Sequence, residues 1–191
     1  MASQAAAQRL EELPLPTPGT WEIDAAHSSV GFVARHLMIS KVRGRFQKVS
    51  GELTIGATPE SSSVAATIDA ASIDTADEMR DGHLRSPDFL DVEKYPTLEF
   101  RSTYARQLDD TTLRLDGDLT IRDVTRPVSL EVSYLGLVTD PFGNEKAGFS
   151  AETEIDREDW GITWNKALET GGVLVGKKVK IELEIEATRK P

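Results

Sequence analysis

Cysteine is absent from this 191-residue chain. Disulfides, thiol chemistry and every cysteine-based zinc site are therefore excluded. No run of about eighteen apolar residues occurs, so no transmembrane helix and no integral membrane segment is expected. Positive charge is in short supply: 22 lysines and arginines stand against 32 aspartates and glutamates, for a net charge of −10. Such a surface repels phosphate backbones and keeps a protein dispersed, so nucleic acid is not an expected partner. Segments of helical period are scarce, and only three histidines and three tryptophans are present. The first nineteen residues lack the apolar core of a secretory signal, with Arg9, Glu11 and Glu12 where it would lie. A cytoplasmic protein is expected on that ground. Ser3 to Leu13 suits a short helix, and Pro14, Pro16 and Pro18 then enforce an extended tether. Residues 1–19 read as a mobile leader and 20–191 as a single domain, large enough to bury a real core.

What the chain does have is alternation. Val179-Lys180-Ile181-Glu182-Leu183-Glu184-Ile185-Glu186 switches between apolar and charged at every step. Strand side chains alternate between faces, so this segment has one apolar face and one wetted face. The same period returns at Leu113–Leu115, Leu119–Ile121, Val128–Val132, Ala65–Asp69 and Leu98–Phe100. With little helix to form a second layer, a sheet closed on itself is the remaining cover. The fold class is all-β: an up-and-down antiparallel β-barrel of about eight strands with a short helical insertion. Trp21 and Ile23 share odd parity while Val30, Phe32 and Ala34 are even, which predicts a bulge near Ser28-Ser29. Lys41 to Gly44 reads as a basic turn, followed by a strand from Phe46 to Ile55 across Gly51. Further strands are expected at 64–70, 98–104, 112–122, 127–138, 148–155 and 177–187, with turns at Asp109-Asp110 and Pro141–Asn144. Helix is predicted over 76–84, with Asp74 or Thr75 as N-cap, and again over 86–92 behind Ser86-Pro87. The long link from Asp156 to Gly176 holds Trp160 and Trp164 and suits a site wall.

Residues fit for chemistry are few. His27, His36 and His83 lack metal-ligand spacing, even with Asp24, Asp88 or Asp91 as helpers, and no metal is expected. There is no Gly-x-Ser-x-Gly, and Ser28 beside His27 is an adjacency. Gly171-Gly172 lacks the lysine and helix of a phosphate loop. Asp88, Asp91 and Glu93 suit a solvated face. Catalytic residues and cofactors are accordingly not expected, and the chain is read as a non-enzyme. Arg157 stands near Trp160, where its planar fork suits a phosphate or carboxylate head; an ion pair with Glu158, Asp159 or Asp91 is the alternative.

Four separated motifs carry a resemblance. Trp21-Glu22-Ile23-Asp24-Ala25-Ala26-His27-Ser28-Ser29-Val30-Gly31-Phe32 resembles the opening of the YceI-like family, and His83 to Pro96 is similar to its helical insertion. Leu115 to Val128 resembles its central hairpin, and Arg157 to Asn165 its late loop. The match runs in order from about Trp21 to Ala187. Asp123 replaces the hairpin glycine usual in the family, a position where aspartate tolerates positive φ. The resemblance implies a lipocalin-like barrel that binds a polyisoprenoid or related long-chain amphiphile, such as an isoprenoid quinone, in its interior. Several family members are secreted to the periplasm, whereas no signal peptide is expected in this chain.

The reading is a carrier or sequestering protein for one apolar chain. Burial gains about 25 cal/mol per Å² without any charge. Ligand-lining candidates are Val30, Phe32, Phe46, Leu53, Ile68, Phe89, Phe100, Leu119, Val132, Phe149, Ile181 and Leu183, with His36, Arg157, Trp160 and Trp164. His27, His36, Arg157 and Asn165 are placed at the head-group end. For each apolar residue, ordinary barrel core is the competing role, and only an interior left partly unfilled separates the two. An enzyme acting on a lipid in the same cavity, with His36 as its acid–base group, is one alternative. A ligand-free stress-linked interaction module is the other. Assembly is left open, with a homodimer among the outcomes.

Overall fold

A computed structural model describes residues 16–191. Its strands are β1 (Gly19–Ile23), β2 (Ser29–His36), β3 (Ser40–Phe46), β4 (Val49–Ile55), β5 (Ser63–Asp69), β6 (Ile73–Asp74), β7 (Thr97–Gln107), β8 (Thr112–Ile121), β9 (Val124–Thr139), β10 (Glu145–Asp156) and β11 (Val175–Arg189). Among the described residues one α-helix, α1 (Glu78–Arg85), lies between β6 and β7. Neighbours run β1-β4-β5-β7-β8-β9-β10-β11, and β11 pairs again with β1, closing eight antiparallel strands into a barrel. At one end β2 and β3 take over from β1 and β4: β2 pairs with the first half of β11 and β3 with β2.

Register turns the alternation into an interior. Ile181 lies opposite Thr153 and Phe32, and Leu183 opposite Ala151 and Val30, so apolar rows of three strands share one face. Glu182 and Glu184 fall on the other face, as a period of two requires. Between the neighbouring strands β7 and β8 a glycine makes room for an inward ring. The Phe100 ring lies across Gly117, whose Cβ, if present, would sit 2.5 Å from Phe100 Cζ. Connections 56–62, 108–111 and 140–144 gather at one end, the hairpin end. Residues 70–96, with α1, and 157–174 cover the other, the helix end, which also holds the β2–β3 turn.

Several local expectations are corrected. Between Ile23 and Ser29 the chain makes a five-residue link while β11 advances only from Ala187 to Glu184, more than a bulge inserts. Ser28 Oγ fills the gap, donating to Glu186 O at 3.2 Å and accepting from Glu186 N at 3.1 Å. Lys41 to Gly44 is strand; the turn is Leu37–Ile39, closed by left-handed Leu37 (φ 53°) and Met38 (φ 62°). Residues whose side chains disfavour that region gave no turn signal. Gln47 and Lys48 divide the expected Phe46–Ile55 strand. Asp77, not Asp74 or Thr75, caps α1 by accepting from Arg80 N. The second helical turn does not form. Ser86 ends α1 instead, its hydroxyl donating to His83 O at 2.7 Å, and Asp91 (φ 50°) bends the chain away. Most of the expected leader lies outside the described residues. Its last part is tied down: Trp21 Nε1 donates to Thr17 O at 3.0 Å and Thr17 Oγ1 to Glu145 at 3.0 Å.

Candidate ligand cavity

The barrel interior is not filled. A cavity of about 800 Å³ runs along it, within the range of pockets that hold small molecules. Its wall is almost wholly apolar. Val30, Phe32, Phe46, Leu53, Ile68, Phe89, Phe100, Leu119, Val132, Phe149, Ile181 and Leu183, all expected there, line it. Tyr134, Leu113, Leu115, Ile121, Leu130 and Ile155 do so as well. The sequence signal for Tyr134 was its parity with Leu130 and Val132. Burial pushes the Tyr134 hydroxyl up to about 12, so it stays protonated and neutral.

The two ends of the cavity differ. At the helix end the lining residues Phe89, Leu90, Arg157 and Ile162 are buried, so the tunnel is closed. At the hairpin end Ala57, Thr58, Glu60, Gln107, Asp109 and Asp110 line it and are exposed. That end is the mouth.

Arg157 sits at the closed end, only 5% exposed. Its guanidinium donates to three backbone carbonyls: Gly176 at 3.0 Å, Ile162 at 2.7 Å and Val175 at 3.4 Å. Neither the expected rim position nor an ion pair with Glu158, Asp159 or Asp91 is found among the described residues. Lys177 takes Glu158 instead, at 2.8 Å. Burial holds the Arg157 pKa below its usual value. The arginine fastens the late loop across the barrel end, and Asn165 completes the closure by bonding both Val175 N and Val175 O.

The remaining expected site residues stand outside the cavity wall. Trp160 is buried with Nε1 donating to Leu119 O at 2.9 Å, a strut beneath the late loop. Trp164 meets His83 at 4.6 Å and Phe89 at 5.3 Å between ring centroids, covering Phe89 from outside. His36 ends β2 beside the turn, away from the lining. His27 lies on the outer wall, 64% exposed at its side chain, and contacts Asp24 at 3.0 Å. The three histidines are dispersed rather than gathered: His83 meets Asp88 at 2.8 Å instead.

Asp24, His27 and Glu186 do form a cluster with metal-like spacing. An ammonium already occupies it: Lys146 Nζ lies 2.7 Å from Asp24 and 3.2 Å from Glu186. That hydrogen bond, followed by His27, holds the Asp24 carboxyl down to about 2, and Asp24 raises the Lys146 ammonium in return. The cluster is an ion-pair clasp joining the β1–β2 link to β10 and β11.

Known proteins share this architecture. The sequence profile described as a YceI-like domain matches residues 21–187. A Staphylococcus aureus protein named within the UPF0312 group is 38% identical over 168 residues, covering 85% of this chain and 94% of its own. A Vibrio cholerae protein of that group is 35% identical over 166 residues, covering 86% and 84%. Among solved structures, a Campylobacter jejuni YceI protein superposes with TM-score 0.71 at 30% identity, over 82% of this chain and 90% of its own. Burkholderia cenocepacia BcnA gives TM-score 0.77 at 24% identity, over 87% and 99%. A domain from Saccharophagus degradans, described as polyisoprenoid-binding, shares the fold with TM-score 0.67 at 14% identity, over 89% and 98%.

Proposed function

This chain belongs to the YceI-like family, and we propose that it carries or sequesters one polyisoprenoid or similar long-chain lipid inside its barrel. The supporting observation is the unfilled cavity of about 800 Å³ walled by apolar side chains. A barrel built only for stability closes such space, because voids forfeit packing. The description of the Saccharophagus degradans domain as polyisoprenoid-binding points to the same ligand class. The chain of the lipid lies along the tunnel towards Arg157, and its head group stays at the mouth. There Thr58, Gln107 and Thr111 offer hydroxyl and amide partners, while Glu60, Asp109 and Asp110 disfavour an anion. A neutral head, as in a polyprenol or prenyl quinone, fits this mouth better than a prenyl phosphate. Binding rather than catalysis is the proposed role. The three histidines, the candidate acid–base groups, stand outside the cavity wall.

The test is solvent extraction and native mass spectrometry of the protein purified from a host rich in prenyl quinones. Ala151 faces the tunnel between Val132 and Leu183 and is small enough to be replaced by a plug. It is a better place for a block than Phe100, whose ring is already seated over Gly117. Wild type should carry a lipid and Ala151→Trp should carry little, at equal folded protein. Equal lipid in both, or none in wild type, defeats the carrier reading.

A further inference from the structure

Positive charge is distributed unevenly in this acidic protein. From Ala25 to Gly51 the chain holds five of its 22 cationic side chains and none of its 32 carboxylates. The hairpin β2–β3 lies within that stretch and turns at the helix end, with Leu37 N donating to Leu174 O of the late loop at 2.9 Å. Three of its features oppose local stability. Leu37 and Met38 occupy the left-handed region, which glycine or asparagine fills more readily. Met38 and Ile39 are 53% and 83% exposed. Arg35 and Lys41 stand directly opposite each other in the ladder, like charge against like. Neither of these two side chains has a hydrogen-bond or ion-pair partner among the described residues. Arg43 and Arg45 are held on the wall by Glu182 and Asp74.

One ordinary explanation covers part of this. The Ser40–Gly44 edge of β3 has no strand partner among the described residues, and charge on an open edge prevents unwanted strand pairing. It accounts for Lys41 and Arg43. It does not account for Arg35, which lies on β2 between β3 and β11 at the register break with β11 rather than on the open edge, nor for an apolar tip, which invites the association that edge charges prevent.

We propose that the β2–β3 hairpin docks this protein on an anionic phospholipid bilayer. Met38 and Ile39 enter the interface, and Arg35, three residues before Met38, and Lys41, two after Ile39, lie at the headgroup level. Apolar insertion and cation–headgroup attraction are each weak, and together they suffice for reversible binding. The overall negative charge of the protein turns every other face away from such a surface. A nucleic acid would use the cations alone, since phosphate gains nothing from an isoleucine at the tip. The inference does not depend on the cavity being occupied.

Flotation of the full chain with vesicles tests it. The probes are phosphatidylcholine with about one-third phosphatidylglycerol, and phosphatidylcholine alone, at about 0.1 M salt. The protein should float with the anionic vesicles only and be released by high salt. Arg35→Gln and Lys41→Gln should each weaken binding roughly five-fold. Met38→Ser with Ile39→Ser should weaken it about ten-fold or more while the urea midpoint stays in place. Ile39→Trp should show blue-shifted emission on the anionic vesicles, and this decides the matter should the double variant fail to fold. Equal binding to neutral vesicles, wild-type binding by the folded double variant, or an unshifted Ile39→Trp on bound vesicles overturns the proposal. So does an oligonucleotide that binds as tightly as the vesicles and is indifferent to the serine changes.

Discussion

The two ends of this barrel are closed and opened by different physics. At the helix end a buried arginine gathers three carbonyls and Trp164 covers Phe89, so a long irregular loop becomes a fixed wall. At the hairpin end the turns are closed by their own aspartates. Asp109 accepts from Thr111 and Thr112, Asp140 accepts from Phe142 and Asn144, and neither set reaches across the mouth. A tunnel with one braced end and one set of independent turns has a defined entrance. The lesson is that a buried donor serving several carbonyls, not loop length, decides which end is shut: the ion pairs and hydrogen bonds of the hairpin end, such as Thr17 and Arg189 to Glu145, stay on the outer wall.

The strongest way to break this asymmetry is Arg157→Ala. It leaves the carbonyls of Ile162 and Gly176 without their arginine donor, while Val175 O keeps Asn165, and should lower unfolding free energy by about 3 kcal/mol. Urea denaturation measures the loss, and hydrogen exchange should rise across 157–176 but not across 108–111. Arg157→Lys should recover less than half, because one ammonium cannot reproduce the fork. Trp164→Ala should follow at about 2 kcal/mol and also speed lipid exchange by opening a second route beside Phe89. Stopped-flow release of a fluorescent prenyl probe reads that rate; an unchanged rate means the helix end is shut without the tryptophan.

A smaller effect is expected at the Lys146 clasp on the wall. Asp24 has its carboxyl lowered from 3.8 to about 2, so its contribution is complete above pH 4 and is lost as pH falls through 2. Lys146→Ala should cost on the order of 1–2 kcal/mol at neutral pH, and the difference from wild type should shrink in acid. Thermal melts at pH 7 and near pH 2 compare the two. The smallest change belongs to the hairpin end. Phe142, 88% exposed at a turn tip, should tolerate serine within about 0.5 kcal/mol. A larger loss there would show the hairpin end to be braced after all.

The barrel was legible because alternation is a local signal that survives without tertiary information. Val179 to Glu186 states its inward face residue by residue, and Ile181 and Leu183 line the cavity as their parity requires. The head-group assignments were not legible. His27 has the parity of Trp21, yet it sits in a link rather than a strand, where parity carries no meaning. Trp160 and Asn165 lie in an irregular loop, so nothing periodic indicates whether they face the tunnel or brace it. The β2–β3 turn was missed because Leu37 and Met38 are poor turn formers held left-handed by the ladder on either side.

By itself the sequence determined which faces of the strands are apolar, that eight of them suffice to close, and that no cysteine chemistry is available. Those properties belong to single residues and their neighbours in the chain. Only the tertiary structure decided that the interior stays open, and that Arg157 braces the closed end through backbone carbonyls. It also decided that Lys146 fills the cluster of Asp24, His27 and Glu186. Each of these depends on groups far apart in sequence: Lys146 stands 122 residues from Asp24. Volume left unfilled, and charge already paired, are properties of the assembled barrel and have no counterpart in the order of its residues.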